Sequence, residues 1–227
     1  KEDGAVCQMC GHSFFRYKTS NNSKWNIDRY DFGAKVVSHN IVNDKYVIEF
    51  DAPITKIPNN VFSISTLVGE LRIPKSVTSI GASAFYGCSG LTGDLTLPNS
   101  IKTIGTQAFS HCTGFNGTLT LPNSLTTIGE SAFMKCSRFT GILTLPNSLE
   151  TIGEHAFSTC TGLEDLKLSS SMSVIPKWAF EKCSGLSGEV VIPSTIKRIE
   201  NCAFQDCENL NKNSKTPSEV TLPESLE

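Results

Sequence analysis

The chain has 227 residues and 24.6 kDa, with a formal charge of -2 and a pI near 6.1. That balance leaves no basic excess for a nucleic-acid surface. No apolar run approaches the roughly 18 residues that would read as a membrane span.

The first motif with chemistry in it is Cys7-Gln-Met-Cys10-Gly-His12. A cysteine pair at this spacing followed by glycine is half of a zinc knuckle, but zinc takes four ligands. No second pair succeeds it, and only His12 and His39 could assist, so free thiols or a local disulfide are expected and no metal. Next, Phe14–Thr19 and Lys24–Ile27 flank Ser20-Asn-Asn-Ser23, whose asparagines suit the positive backbone angles of a hairpin turn. Residues 1–45 do not repeat, and this hairpin is expected to cap the first repeating unit. Tyr46–Phe50 then alternates like a strand, and Ile54, Ile57, Val61 and Phe62 keep register with later units, which makes a degenerate first repeat.

From there to residue 227 the chain repeats. Phenylalanines recur at Phe62, Phe85, Phe109, Phe133, Phe157, Phe180 and Phe204, at steps of 23 or 24 residues. Full units begin near residues 69, 93, 117, 141, 165 and 188. No unit of this length can bury its apolar side alone, so the units are expected to stack as a solenoid. Within a unit, Leu119-Thr-Leu121 is a short strand with leucines inward, stopped by Pro122. Leu125 and Ile128 pack the next side, and Gly129–Cys136 is expected to form a helical turn burying Ala132, Phe133 and Cys136. The fold class is therefore an α/β repeat solenoid with short parallel strands, of about seven units plus a partial one. Eight layers at about 4.8 Å give roughly 40 Å of stack. Between Cys207 and Val220 six extra residues read as an inserted loop. The chain opens at Lys1 without an initiator Met and closes mid-unit at Leu222-Pro-Glu-Ser-Leu-Glu227, so it reads as a trimmed piece of a longer protein.

Six of the nine cysteines keep the same beat, at Cys88, Cys112, Cys136, Cys160, Cys183 and Cys207. Because Cys behaves as a small hydrophobe, this column is expected to be buried and unbridged.

Leu163-Glu-Asp-Leu166-Lys-Leu168 matches the L-x-x-L-x-L core of leucine-rich repeats. The continuation Ile80-Gly-Ala-Ser-Ala-Phe85-Tyr-Gly-Cys88-Ser-Gly-Leu91 resembles the BspA-like, treponemal class, and Tyr30–Asp51 is similar to the first repeats of such proteins. The resemblance covers roughly residues 30–227. It implies a surface or secreted location, adhesion to host matrix proteins and a bacterial source, although parasitic protists also carry the class.

No catalytic set is expected. His12, His39, His111 and His155 occupy different regions or columns, none is placed beside a candidate Ser or Cys nucleophile, and there is no phosphate loop or repeated carboxylate pair. No cofactor is expected either. The exposed strand column reads Arg72, Thr96, Thr120, Thr144 and Lys167, flanked by Glu70, Asp94, Thr118 and Asp165. Stacked threonines suit an ice-binding array, but the neighbouring column breaks the pattern, and ordinary strand preference explains them better. The column before the buried alanine reads Ser83, Gln107, Ser131, His155, Trp178 and Cys202. It places His155 beside Trp178 about 5 Å apart, as an exposed contact point. Alternatively, Trp178 covers the shortened unit 165–187. Taken with the resemblance, these residues nominate a non-catalytic module that binds a host extracellular or surface protein, or a glycan. A passive spacer for another domain, or a recognition module of a larger enzyme, are the competing readings.

Overall fold

The computed structural model describes residues 13–21, 26–42 and 45–210. Cys7, Cys10 and His12 lie outside that range, as do Lys24, Trp25 and the stretch beyond Leu210. The N-terminal strands β1 (Ser13–Tyr17), β2 (Val36–Val42) and β3 (Lys45–Phe50) form one antiparallel sheet with β3 in the middle. The hairpin in this sheet joins β2 to β3. β1 pairs with β3, Phe15 opposite Ile48 and Tyr17 opposite Tyr46, and Asn26 and Ile27 form no strand; residues 22–25 of the expected hairpin lie outside the described residues. Apolar burial explains the preference, since the long-range pairing places Phe15 and Ile48 at 1% and 0% exposure.

Beyond the sheet the chain winds in coils. In chain order the short strands are β4 (Lys56–Ile57), β5 (Ser79–Ile80), β6 (Leu95–Thr96), β7 (Thr103–Ile104), β8 (Leu119–Thr120) and β9 (Thr127–Ile128). They continue as β10 (Ile142–Thr144), β11 (Thr151–Ile152), β12 (Asp165–Lys167), β13 (Val174–Ile175) and β14 (Arg198–Ile199). The Leu-Thr-Leu column pairs in parallel as expected, but only as β6 with β8 and β10 with β12. The longer sheet runs through the Thr-Ile column, in the order β11-β9-β7-β5-β4. Here every Ile points inward and the preceding Lys, Ser or Thr outward, a two-residue alternation too short to stand out in the sequence.

The helical turn is corrected: the described residues contain no helix. Each Gly-x-x-Ala-Phe-x-x-Cys segment is a run of tight turns. Ala108, Ser110 and Cys112 donate their N–H groups three residues back, at 3.1–3.2 Å. Gln107, Phe109 and His111 instead send theirs to Glu130, Ala132 and Met134 of the next coil, each at 2.8 Å. A helix returns every N–H four residues back and leaves none for a neighbouring layer. The geometry places Gln107 and His111 in the left-handed region, with φ of 56° and 61°. That conformation costs roughly 1–2 kcal/mol per non-glycine residue, which the bonds between coils offset.

The core is a set of stacked columns. Consecutive phenylalanines from Phe62 to Phe204 stack with ring centroids 5.2–5.5 Å apart. Cys88, Cys112, Cys136, Cys160 and Cys183 are buried and unbridged, while Cys207 is half-buried in the last described coil. Each of the six thiols donates to the carbonyl of the phenylalanine one unit back, as Cys136 Sγ does to Phe109 O at 3.0 Å. Close layering also dictates Gly129, where a Cβ would lie 2.5 Å from Thr106 N.

Candidate recognition surfaces

Two surfaces carry the residues nominated by the sequence. On the Leu-Thr-Leu side, Arg72, Thr96, Thr120, Thr144 and Lys167 are all exposed. Register places Thr96 beside Thr120 and Thr144 beside Lys167. Strand pairing stops between β8 and β10, so the column is two pairs and not one unbroken ladder. Arg72 bonds Glu70 at 3.2 Å, with both side chains mostly in solvent, a pairing that contributes little to stability. Lys167 has no ion-pair partner among the described residues. Asp94 accepts the N–H and the hydroxyl of Thr118 at 2.6 and 3.0 Å. The N–H bond, then the hydroxyl, hold its carboxyl below the ordinary value, so it stays charged. Glu70, Arg72, Lys75, Asp94 and Thr96 line one shallow depression, and Thr96, Asn99, Ser100, Thr120 and Asn123 line a second beside it. Apolar side chains, Leu71, Ile73, Leu97, Pro98, Leu121 and Pro122, complete the walls of the two depressions, and no aromatic ring lines either.

On the turn side, the rings of His155 and Trp178 stack in parallel, 4.8 Å between centroids and 5° between planes. Both residues sit in the left-handed conformation, with φ of 56° and 53°. Trp178 is half-buried, not fully exposed as expected. Glu181, which the sequence did not single out, borders the pair. Its carboxylate accepts Lys182 Nζ at 2.8 Å and Ser158 Oγ at 3.0 Å, and lies 3.7 Å from His155 Nδ1. The Lys182 bond, with Ser158 contributing, holds Glu181 below the usual carboxylate range. Glu181 and Ser158 share one column of the repeat, directly after the buried phenylalanine. That shared position is the signal that would have found them.

One histidine departs from expectation. His111 Nδ1 does meet a serine, Ser110 Oγ, at 2.9 Å. Ser110 is fully buried, however, so its hydroxyl orients the imidazole and cannot reach a substrate. Burial, then Lys135, push the His111 pKa down. His39 is taken up by Tyr17 Oη at 2.7 Å. No group of three or more His, Cys, Asp or Glu side chains able to hold a metal occurs among the described residues. With no helix among the described residues, none there is long and apolar enough to cross a membrane.

A family profile described as "BspA type Leucine rich repeat region" matches residues 92–211 in six copies. Among solved structures, the chain is similar to a leucine-rich repeat protein from Bacteroides ovatus, with 26% identity and a TM-score of 0.64 over 83% of this chain. The chain spans 45% of that protein's length. A leucine-rich repeat protein of T. pallidum gives 26% identity and a TM-score of 0.61, covering 83% of this chain and 87% of that one. One from Eubacterium ventriosum gives 23% identity and a TM-score of 0.58, covering 76% of this chain and 45% of that one, a likeness of fold. No curated protein sequence matches the chain.

Proposed function

Because the chain belongs to the BspA-type leucine-rich repeat family, we propose that it is a non-catalytic recognition module, displayed at or secreted from a bacterial cell, that binds an extracellular protein or glycan of a host. The observation that carries this reading is the exposed column Arg72, Thr96, Thr120, Thr144 and Lys167. Thr96, Thr120, Thr144 and Lys167 lie on short strands over the core and Arg72 on the irregular coil beside them, so these side chains can vary without disturbing the fold. A polar surface of mixed charge and without aromatic anchors suits weak, multivalent adhesion better than a single tight contact. The stacked pair His155 and Trp178 is a second docking surface on the turn side.

The test is adsorption of the chain to immobilised extracellular matrix proteins and host glycans, comparing wild type with Arg72→Glu/Lys167→Glu. Binding should fall at least tenfold in the double variant and should weaken with salt in the parent. If the double variant and Trp178→Ala bind as well as the parent, or the parent binds nothing, the spacer reading takes its place.

A further inference from the structure

The His155–Trp178 pair is better built than its column requires. The same position, in the same left-handed conformation, is held by Ser83, Gln107, Ser131 and Cys202, with φ between 52° and 60°. The fold therefore needs no ring there. Nor does the shortened unit need a cover at Trp178. Aligning the units places the missing residue between Leu163 and Leu166, where others read Leu91-Thr-Gly-Asp-Leu95. The deletion falls on the strand side of the coil, and Leu163 and Leu166 remain buried at 1% and 3%.

One face of the indole lies on His155. On the other side the column continues with Cys202, small and itself exposed, so no ring or long side chain of the column occupies that face. On the His155 side of the pair the Glu181 carboxylate lies 3.7 Å from Nδ1, and it carries the exposed Lys182 ammonium and the buried Ser158 hydroxyl as its partners. We propose that Trp178 is the stacking platform of a glycan subsite that takes one pyranose ring, with Glu181 and Lys182 addressing its hydroxyls. A pyranose presents an apolar C–H face to an indole and a rim of hydroxyls that both donate and accept. A phenyl group would offer nothing to the polar rim. An organic cation would find Glu181 already neutralised by Lys182 at 2.8 Å. This rests on the reading of the chain as a recognition module and names the ligand class for one of its two surfaces. A lone platform of this size binds weakly, on the order of millimolar per ring, so a multivalent glycan is the effective ligand.

The experiment titrates the whole chain with methyl glycosides of glucose, galactose, mannose, fucose, N-acetylglucosamine and N-acetylgalactosamine. Indole N–H signals are followed by NMR, and Trp178→Gln, a side chain this column already accepts at Gln107, identifies the Trp178 signal. At least one glycoside should shift that signal saturably. Trp178→Gln should weaken its binding at least tenfold, read from the His155 ring signals. The proposal is overturned if no glycoside shifts the signal, if Trp178→Gln binds as well as wild type, or if N-acetyl-tyrosinamide or tetramethylammonium binds and the glycosides do not. Loss of adhesion in the strand-side variant alongside no glycoside response would leave the module reading standing and remove this subsite.

Discussion

The ring of Phe15 stacks on Phe62 with centroids 5.2 Å apart and planes 15° apart. Phe15 belongs to the antiparallel sheet and Phe62 to the first coil, so the phenylalanine column passes from one into the other at the spacing used between coils. Ser20 N and Val68 N complete the join by bonding Thr66 O and Lys18 O at 2.8 and 2.9 Å.

Removing that contact should loosen the sheet selectively. Phe15→Ala leaves a cavity at a fully enclosed site and should cost about 3–5 kcal/mol. Hydrogen exchange should rise first at β2 and β3 and last in the coils around Phe133. Uniform loss of protection along the chain would contradict this.

The turns make a second prediction that opposes the helical expectation. Lys135 has φ of 60° and an exposed side chain. In a helix, Lys135→Gly would cost about 1 kcal/mol. In the left-handed conformation, glycine relieves strain that offsets its greater freedom in the unfolded chain. The urea midpoint should therefore hold or rise, and a fall worth about 1 kcal/mol would argue for a helical segment.

Burial pushes the Cys160 thiol up to about 12 from an ordinary 9.0, and that of Cys207 up to about 11. A raised thiol pKa means the folded chain keeps protons that the unfolded chain releases above pH 9. The stability these thiols contribute is thus complete below pH 9 and is lost as pH rises toward 11–12. Urea midpoints measured from pH 7 to pH 11 should fall above pH 9, and Cys160→Ala should flatten that slope. At pH 8 a thiol reagent should modify exposed Cys202 quickly and the five buried thiols only on unfolding.

Gly129 tests the layer spacing. An alanine Cβ there would meet backbone atoms of Gly105 and Thr106, which cannot swing aside as a side-chain end can. Gly129→Ala should destabilise by about 1–3 kcal/mol in thermal or urea unfolding. A neutral outcome would mean that the coils can separate locally.

The columns of Phe, Cys and Leu are legible in the sequence because each recurs at one phase of a fixed period, and stacking leaves each column a single place to go. Three features escape that reasoning. The Thr-Ile strands are two residues long, below the length at which alternation can be seen. The turn from Gly105 to Cys112 has helix-like apolar spacing, and only the direction of its N–H groups tells it from a helix. The partner of β1 lies 29 to 37 residues away, while a nearer turn-forming stretch, Ser20–Ser23, offers a plausible local alternative. On the turn side, the adjacency of His155 and Trp178 is dictated by the period. Glu181 and its bond to Lys182 are not, because they depend on where flexible side chains settle.

The bonds that join Gln107, Phe109 and His111 to the following coil point along the stacking direction and recur in successive coils. A tether pulled end to end would load these contacts one layer after another, as a zipper is opened. With 23 or 24 residues freed per layer at up to about 3.6 Å each, extension should proceed in steps of roughly 80 Å. Such a chain would lengthen under shear by yielding its layers singly, and would remain attached at both ends while it did so.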